Sequence, residues 1–577
     1  MPHGIFHPLS HGFHAKPESA ARIWPFDLKT LLIAGIVAFL LLFTVFPMLY
    51  LIYRTFIGEQ GFTWEAFTRI YTYPLNWEAL SNTLITASLA MIFGVLIAFP
   101  LAWLVGRTNL YGRTFFRTLF VMTYMVPPYV GAMAWLRLLN PRVGTLNLWL
   151  MDVLGLAQPP FNIYSIGGLV WVLTTFYYPY AFITISRAME NMDPSLEEAA
   201  RISGASPLKT VMTVTLPIML PSIVAAALLV FISAASCYGI PSIIGAPGQI
   251  DTVTTRIIDY VYVGSAEGLS DATSLAVSLM FLANLVLFAS TFLGNTNQYT
   301  TVSGKSTRPN MVDLGRMRLP LTLLVIIFAL VVVVLPLVTV ALTSVTQNLG
   351  KPLGLDNVTG RFWKILVTRQ GIADTASNSL IAASVAATAG MIVACAMAWL
   401  LTRTQARGRR IPDLLITLGS GTPSVVIALG LIMTMSGRFG INIYNTLTIM
   451  IIAYMVKYQL MGMRTVVSAM SQIHPSLEEA AEISGASWIR RFWDVTLPLI
   501  APSVVAGWFL IFMPSFYELT MSTLLYSANT KTIGYELYTY QTYHSQQTAS
   551  AIATGILLLV IVVNALLHKL TKGRFSI

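Results

Sequence analysis

The chain has 577 residues, of which 55% are apolar and 10% charged, and its mean hydropathy is +0.70. A soluble domain carries about 25% charged residues, so this composition excludes a soluble multidomain enzyme and also a disordered chain. The net charge is +11, but the basic residues stand in short loops between apolar runs, which indicates membrane orientation and not nucleic-acid binding. Both cysteines, Cys237 and Cys395, lie in apolar runs and are expected to be buried, which excludes a disulfide-rich secreted scaffold. The chain is therefore predicted to be an integral membrane protein.

The N-terminal segment is polar and has no small-residue cleavage site, so residues 1–29 are predicted to form a retained cytoplasmic tail. Four histidines in this tail stand at spacings of four, four and three, which would place them on one face of a helix. Proline and glycine residues among them disfavour that helix. Metal binding by the tail is therefore the less favoured interpretation, and we expect no metal site. The four histidines are His3, His7, His11 and His14.

Apolar runs of about 20 residues, the length that crosses a bilayer as a helix, predict twelve spans. Of the 35 Lys and Arg residues, 23 fall on the inside and 11 on the outside when the N-terminus is placed in the cytoplasm. This bias predicts that both termini are cytoplasmic. Lys457 lies within a span and is expected to extend its stem toward the inner face. The predicted spans lie near 30–53, 80–105, 115–136, 165–186, 216–236, 271–293, 319–344, 376–401, 413–435, 443–466, 498–516 and 548–568.

Two stretches of the chain are near copies of each other. Residues 194–226 and 475–507 are identical at 20 of 33 positions, with an offset of 281. Upstream, Ser-Asn-Thr at 81–83 pairs with Ser-Asn-Ser at 377–379, with an offset of 296. The first copy therefore holds 15 more residues between the two matches, which we place in an outside loop at 139–164.

Each copy contains six predicted spans, and because this number is even, both copies have the same orientation. The fold class is therefore predicted as an all-α membrane protein of two parallel six-helix repeats, related by an axis along the membrane normal. Pro127-Pro128 and Pro514 are expected to kink their spans. The predicted units are the tail at 1–29, a first unit at 30–293, a cytoplasmic linker at 294–318 and a second unit at 319–577.

The best-matched part of the repeat is a polar loop between the fourth and fifth spans, at 190–215 and 471–496. In each loop Ser-Leu-Glu-Glu fits a capping box, in which the serine caps a helix and a glutamate follows three residues later. Gly204 and Gly485 are the expected helix ends. The alanines between them would let another backbone approach closely. The pattern predicts a short helix at the inner face of the membrane, and a connecting helix without a partner is the alternative.

These loops resemble the signature of type I ABC-importer permeases, which is Glu-Ala-Ala, three residues, Gly, nine residues, Ile, any residue, Leu-Pro. The copies fit it from Glu198 to Pro217 and from Glu479 to Pro498, with valine in place of isoleucine. The resemblance implies a type I ABC importer permease fold in a bacterial cytoplasmic (inner) membrane. It also implies two cytoplasmic ATPase subunits, each of which receives one loop as a coupling helix. The residues expected at this contact are Glu197, Glu198, Ala199, Ala200, Gly204, Glu478, Glu479, Ala480, Ala481 and Gly485.

The same resemblance implies a periplasmic solute-binding protein that delivers the solute. ATP would be bound by the partner subunits, so the chain is expected to carry no catalytic residue and no cofactor. Gly304-Lys305-Ser306 superficially matches the end of a phosphate-binding loop, but Tyr299 occupies the position of the leading glycine and no strand precedes it.

Within this family, residues 238–245 and 515–519 resemble stretches of the fused ferric-iron permeases, although Cys237 replaces an Asp of that group. Ferric iron is therefore the implied solute, with 2-aminoethylphosphonate, thiamine and polyamines as alternatives. An ionisable residue inside the membrane is a functional candidate. Glu518 is the acid of the second stretch, and the alternative for it is that it caps the outer end of its helix or meets the lipid headgroups. The candidate path residues are Glu518, Tyr517 (a Lys in that group) and Tyr238.

An ion-coupled secondary transporter with twelve spans is the main alternative from another class. It would explain the span count and the parallel halves, but not the two polar loops. It would also carry more ionisable residues within its spans. A membrane enzyme is disfavoured because the sequence lacks a metal-ligand spacing or an acid–base cluster.

Overall fold

The computed structural model describes residues 28–58, 61–193, 195–293, 311–351 and 354–570. The tail histidines, Gly304-Lys305-Ser306 and most of the predicted linker lie outside the described residues. Within these ranges the regular structure is helical apart from one antiparallel pair, β1 (Ile57–Gly58) and β2 (Gly61–Phe62). The predicted all-α class is confirmed.

Each unit is a bundle of long helices joined by short ones. The first unit holds α1 (Leu28–Leu40), α2 (Phe46–Phe56), α3 (Glu65–Thr72), α4 (Pro74–Arg107), α5 (Arg113–Thr123), α6 (Pro128–Leu139), α7 (Thr145–Leu154), α8 (Ile166–Asn191), α9 (Ser195–Ile202), α10 (Pro207–Thr210), α11 (Leu216–Ala235), α12 (Val253–Val263) and α13 (Ala266–Leu293). The second unit holds α14 (Arg318–Phe328), α15 (Leu335–Thr343), α16 (Arg361–Thr368), α17 (Gln370–Arg403), α18 (Arg410–Gly421), α19 (Ser424–Met435), α20 (Leu447–Ser471), α21 (Ser476–Ile483), α22 (Trp488–Arg491), α23 (Leu497–Phe516), α24 (Thr520–Leu525), α25 (Ile533–Tyr543) and α26 (Gln546–Leu570). π-helical turns at Leu41–Val45, Val211–Thr215, Ala329–Val334 and Phe492–Thr496 each join two helices into one span, and another lies at Pro241–Gly245.

Over the described ranges, nine helices are long and apolar enough to cross a membrane, and two bent pairs raise the number to as many as eleven. The kink predicted at Pro127-Pro128 in the third span is present, since α5 and α6 meet at 100°. The ninth span, predicted without a kink, is also bent, because α18 and α19 meet at 107°. Pro128 and Pro423 stand at these breaks, where proline lacks the N–H that would continue the helix. The predicted tenth span corresponds to α20, which is 25 residues long but too polar to be counted because it contains Lys457, Gln459 and Arg464.

The two units are built alike around their longest helices, α4 and α17, each of 34 residues. Ala90 and Ala98 of α4 are fully buried, and Ala386 and Ala394 take the same positions in α17. Small residues of this kind let membrane helices pack closely. They hold α4 against α8 and α11, and α17 against α20 and α23.

The repeated Ser-Asn motif lies at the start of these long helices and has the same role in both units. Asn82 and Asn378 each donate a hydrogen bond of 3.0 Å to a backbone carbonyl shortly before α12 or α25. The hydroxyls that follow, Thr83 and Ser379, accept the first N–H of α12 and α25 at 2.9 and 2.8 Å. The motif therefore fixes α12 in the first unit and α25 in the second, at the end of each bundle opposite to α9 and α21.

The units differ in one connection. The 26 residues between α6 and α8 contain α7, whereas only 11 residues separate α19 from α20. This difference equals the 15-residue change of offset in the sequence, so the extra loop lies where the repeat predicts it. Asn147 anchors α7, because its buried amide donates to the carbonyls of Leu139 (3.0 Å) and Phe161 (2.8 Å).

The first spans of the two units are exchanged between the bundles. α2 packs on α19, and the rings of Phe46 and Phe439 lie 5.1 Å apart near this contact. On the other side Phe328 of α14 meets Phe120 and Tyr178 edge-on, at 5.7 and 5.5 Å. Each bundle is therefore completed by a span of the other.

Candidate functional site: paired loop helices and a central cavity

The two polar loops form matching short helices, α9 and α21, at the same end of the molecule. Each has eight residues and ends two residues before the predicted glycine. Gly204 and Gly485 have φ of +85° and +84°, the left-handed conformation that terminates helices. Ala205 N–H donates to Ala200 O at 3.0 Å and Ala486 N–H to Ala481 O at 3.0 Å, which closes both ends in the same way.

The predicted capping box is wrong for α21. Pro475 already has helical dihedral angles, so Ser476 is the first residue of the helix and its hydroxyl lies 2.9 Å from Nδ1 of His474. At α9 the backbone N–H of Ser195 donates to the carboxylate of Asp193 at 2.9 Å. This hydrogen bond holds the pKa of Asp193 below its usual range. The negative charge near the start of the helix complements the helix dipole.

The loop helices present an apolar surface that sequence reasoning left unassigned. Ile202 and Ile483, at equivalent positions, are each 88% exposed. Leucine or isoleucine at four more positions is exposed around them, and the 281-residue offset pairs these positions too. The signal in the sequence was the retention of apolar residues within an otherwise polar loop. We call this set the apolar patch, and its members are Leu196, Ile202 and Leu208 in the first unit and Leu477, Ile483 and Ile489 in the second.

The residues predicted to contact a partner fall into two groups. Glu198, Ala200 and Ala481 are half-buried, whereas Glu479, Ala199, Ala480 and both glycines are exposed, so these side chains or backbone positions border the apolar patch. Glu197 instead points into the protein, since it is only 6% exposed and accepts a hydrogen bond of 2.7 Å from Thr215. Glu478 is half-buried and accepts one of 3.0 Å from Thr496.

A cavity of about 290 Å³ lies between the two units. The three predicted path residues, Glu518, Tyr517 and Tyr238, all line it. Tyr129 of the first unit donates its hydroxyl to the carbonyl of Tyr517 at 2.9 Å, which joins the two units across the cavity. The lining includes seven tyrosines from three helices and three connecting segments, namely Tyr124, Tyr129, Tyr177, Tyr180, Tyr238, Tyr458 and Tyr517.

Glu518 has two roles in this geometry. Its Oε2 accepts the backbone N–H groups of Met521 (2.8 Å) and Ser522 (3.0 Å), so it caps α24. It also lines the cavity while being only 4% exposed. Glu518 therefore caps a helix, but that helix is the following α24 and not its own span as the alternative expected. Because Glu518 also lines the cavity, it stays a candidate path residue.

Lys457 does not extend toward the inner face, so that expectation is wrong. Its Nζ donates to the carbonyls of Ser420 (3.1 Å) and Thr422 (2.7 Å), where α18 ends and the bent pair breaks. Helix breaks leave carbonyls without intrahelical partners, and a cation satisfies them. Lys457 also lines the cavity, where it and Glu518 are the charged residues among those described.

Within the described ranges, the structure brings together no group of three or more His, Cys, Asp or Glu residues that would hold a metal ion. Both cysteines are free; Cys237 is buried beside the cavity, whereas Cys395 is half-buried, so the expectation of burial is wrong for Cys395. Candidate oxygen donors in the cavity are the phenols and the Glu518 carboxylate.

Two fused bundles, a matching loop helix on each and a cavity between them define a membrane transport subunit. Residues 90–295 and 386–575 match the family described as binding-protein-dependent transport system inner membrane component, and the chain belongs to this family. It is a multi-pass inner-membrane protein and the permease of an ABC importer, with both transport units in one polypeptide.

The relatives include permeases that match this chain across both units and permeases that match it over about one unit. The chain is 24% identical over 544 residues to the ferric transport system permease protein FbpB of Actinobacillus pleuropneumoniae, covering 92% of this chain and 76% of the relative. It is 26% identical over 526 residues to the Fe(3+)-transport system permease protein FbpB 2 of Haemophilus influenzae, covering 89% and 92%. The molybdenum transport system permease protein ModB of Escherichia coli is 27% identical over 225 residues, covering 39% of this chain and 95% of the relative. A bacterial ABC transporter that imports alginate has a TM-score of 0.39 and 19% identity, covering 48% of this chain and 96% of that chain.

Proposed function

We propose that this chain passes ferric iron across the inner membrane, from a periplasmic binding protein to the cytoplasm, through the cavity between its two units. Two ATPase subunits would dock on α9 and α21 in the cytoplasm and drive the change of access. Both termini would then lie in the cytoplasm, in agreement with the distribution of basic residues. The observation that carries the proposal is the matching pair of exposed loop helices at one end of the molecule.

The apolar patch supports the docking of an ATPase on each loop helix. Exposed apolar residues that form one contiguous surface commonly mark a protein interface. Isoleucine is 88% exposed at the same position of both units, in loops that also contain exposed charged residues. Because each unit contributes three equivalent residues to the patch at the same end, the patch fits two copies of one partner.

The chemistry of the cavity supports ferric iron as the solute. Ferric iron is a hard cation, and oxygen ligands including tyrosine suit it. The seven phenols and the carboxylate of Glu518 supply such oxygens in the space between the units. The names of the two-unit relatives agree with this solute.

A zwitterionic solute such as 2-aminoethylphosphonate is the second candidate. The observation in its favour is that both charge signs line the same cavity, the ammonium group of Lys457 and the carboxylate of Glu518. Each could pair with the opposite charge of such a solute, although both groups also contact backbone atoms.

Reconstitution in lipid vesicles with an ATPase and a binding protein tests the proposal. Iron delivered on the binding protein should accumulate only when ATP is supplied, and accumulation should persist when an uncoupler removes the proton gradient. Uptake without the ATPase that collapses with the proton gradient would instead indicate a secondary transporter. Import of 2-aminoethylphosphonate in place of iron would support the second candidate.

Glu518→Gln should lower iron transport by about tenfold, equivalent to ~1.4 kcal/mol at the limiting step. The substitution removes the charge, but the amide oxygen still accepts the N–H groups of Met521 and Ser522, so α24 should keep its cap. Initial rates of iron uptake at equal permease content measure the effect. Glu536→Gln makes the same chemical change on α25, outside the cavity lining, and serves as the control. Equal rates for the two variants would remove Glu518 from the path.

A further inference from the structure

The loop helix of the second unit is tied to the span ends by one arginine. Arg403 is the last residue of α17, and its Nε donates to Oε1 of Glu478 at 2.9 Å. Its Nη2 donates to the carbonyls of Met470 (3.2 Å) and Ile473 (2.9 Å), at the end of α20. The same Glu478 oxygen accepts the hydroxyl of Thr496, in the π-helical turn that leads into α23. One glutamate of the loop helix thus contacts groups fixed to three spans.

The first unit has the same residue types in the same places, but its arginine–glutamate pair is an ion pair without a hydrogen bond. Arg107 ends α4, and its Nη2 donates to the carbonyls of Met189 and Met192 (3.0 Å) at the end of α8. Its Nε lies 3.9 Å from Oε2 of Glu197. Thr215 donates to the other oxygen of Glu197 at 2.7 Å. We call the two sets the anchor triads, which are Arg107, Glu197 and Thr215, and Arg403, Glu478 and Thr496.

All three residues of the first anchor triad are buried, whereas in the second Thr496 is buried and Arg403 and Glu478 are half-buried. The side chains of Arg107 and Glu197 are 3% and 8% exposed, and those of Arg403 and Glu478 are 10% and 19% exposed. A buried ion pair gives little stability compared with apolar packing, because removing two charges from water is costly. What such a pair does supply is a fixed geometry, since the guanidinium fork holds two or three acceptors in set directions.

Neighbouring glutamates in the loop helices therefore differ in their surroundings. Glu198 and Glu479 border the apolar patch and are free to meet a partner surface, whereas Glu197 and Glu478 face the spans. A force applied to the apolar patch would reach α4, α8 and α11 through Glu197, and α17, α20 and α23 through Glu478.

We propose that Glu197 and Glu478 are positioning residues that carry movement of the loop helices into the spans, and that they do not form the docking contact itself. Each acts through its arginine and threonine, which fix the angle between the loop helix and three span ends. This inference rests on the proposed function, because it requires an ATPase that moves the loop helices.

The test uses Glu197→Gln combined with Glu478→Gln, in the full importer with ATPase and binding protein in lipid vesicles. Glutamine has the same shape and still accepts the threonine hydroxyl, but it loses the charged contact to arginine. The ATPase should co-purify at the wild-type ratio, ATP hydrolysis should continue, and transport should fall about tenfold. The number of ATP molecules hydrolysed per transported solute should therefore rise, which loss of permease stability would not produce.

Glu198→Gln combined with Glu479→Gln provides the contrast, because these residues border the docking surface. This pair should weaken co-purification of the ATPase, with transport and hydrolysis falling together. If the first double variant instead loses the ATPase, or transports with wild-type coupling, the positioning role is overturned. If the wild-type permease itself fails to retain an ATPase, the proposed function fails, independently of the anchor triads.

Thr215→Val combined with Thr496→Val keeps the test decisive if the glutamine variants fail to insert. Valine matches threonine in shape and removes only the hydroxyl that Glu197 or Glu478 accepts. A smaller rise in ATP hydrolysed per solute, with normal ATPase content, supports the inference. Unchanged coupling in this variant overturns it.

Discussion

Replacing Ile202 and Ile483 together by aspartate should abolish assembly with the ATPase and therefore transport. Both side chains are the most exposed of the apolar patch, at 88%, so the change should leave the permease fold intact. Burying one isoleucine in an interface contributes about 1.5–3 kcal/mol, and the aspartate adds a charge that the interface would have to desolvate. Each docking site should therefore weaken by about tenfold to a hundredfold. Co-purification of the ATPase with affinity-tagged permease measures the effect.

Leu355→Asp combined with Val367→Asp is the matched control. These side chains are 98% and 83% exposed, but they lie near the start of α17, at the end opposite to the loop helices. The control variant should keep a wild-type content of ATPase. Equal retention by both double variants would show that the apolar patch is not the docking surface.

The repeat made much of the architecture predictable from the sequence. A parallel pair of units follows from the two repeated stretches and an even number of predicted spans in each copy. The 15-residue change of offset located the extra connection that contains α7. The two loop helices and their terminal glycines were predictable for a similar reason, because a polar loop retained in two copies restricts the residues at its helix ends.

Whether an apolar run forms a straight or a bent helix was not predictable from hydropathy. A run of apolar residues has the same composition whether it is straight or bent, so the right-angle breaks near Pro128 and Pro423 were predicted as a mere kink in the first case and not at all in the second. Lys457 illustrates the consequence. Its partners are the carbonyls that the break between α18 and α19 exposes, and the sequence gives no sign of that break beyond Pro423.

Contacts between segments that lie far apart in the sequence were the other feature that could not be predicted. Tyr129 and Tyr517 meet across the cavity although 388 positions separate them, and no local pattern pairs them. The opposite orientations of Glu197 and Glu198 also escaped prediction. The two residues are chemically identical in the sequence, and only the positions of Arg107 and Thr215 in the folded protein distinguish them.

Replacing both Gly204 and Gly485 by valine should stop transport while leaving membrane insertion intact. An L-residue in the left-handed conformation costs about 1–2 kcal/mol, and a β-branched side chain is especially unfavourable there. A Cβ at either glycine would meet nothing within 4 Å, so the effect would come from the backbone and not from a clash. The helix end should unwind or shift, which would displace the adjacent Ile202 or Ile483 from the apolar patch. Iron uptake and ATPase retention should both fall, whereas the amount of permease in the membrane should not.

Two further variants separate this explanation from a general intolerance of substitution. Asparagine adopts the left-handed conformation more readily than valine, so Gly204→Asn combined with Gly485→Asn should retain most of the transport. Gly155 ends α7 with a φ of +64° and also has open space around it, so Gly155→Val imposes the same backbone strain away from the loop helices. That variant should transport normally. If Gly155→Val were as damaging as the double valine variant, strain alone would explain the loss, and the loop helices would have no special part in coupling.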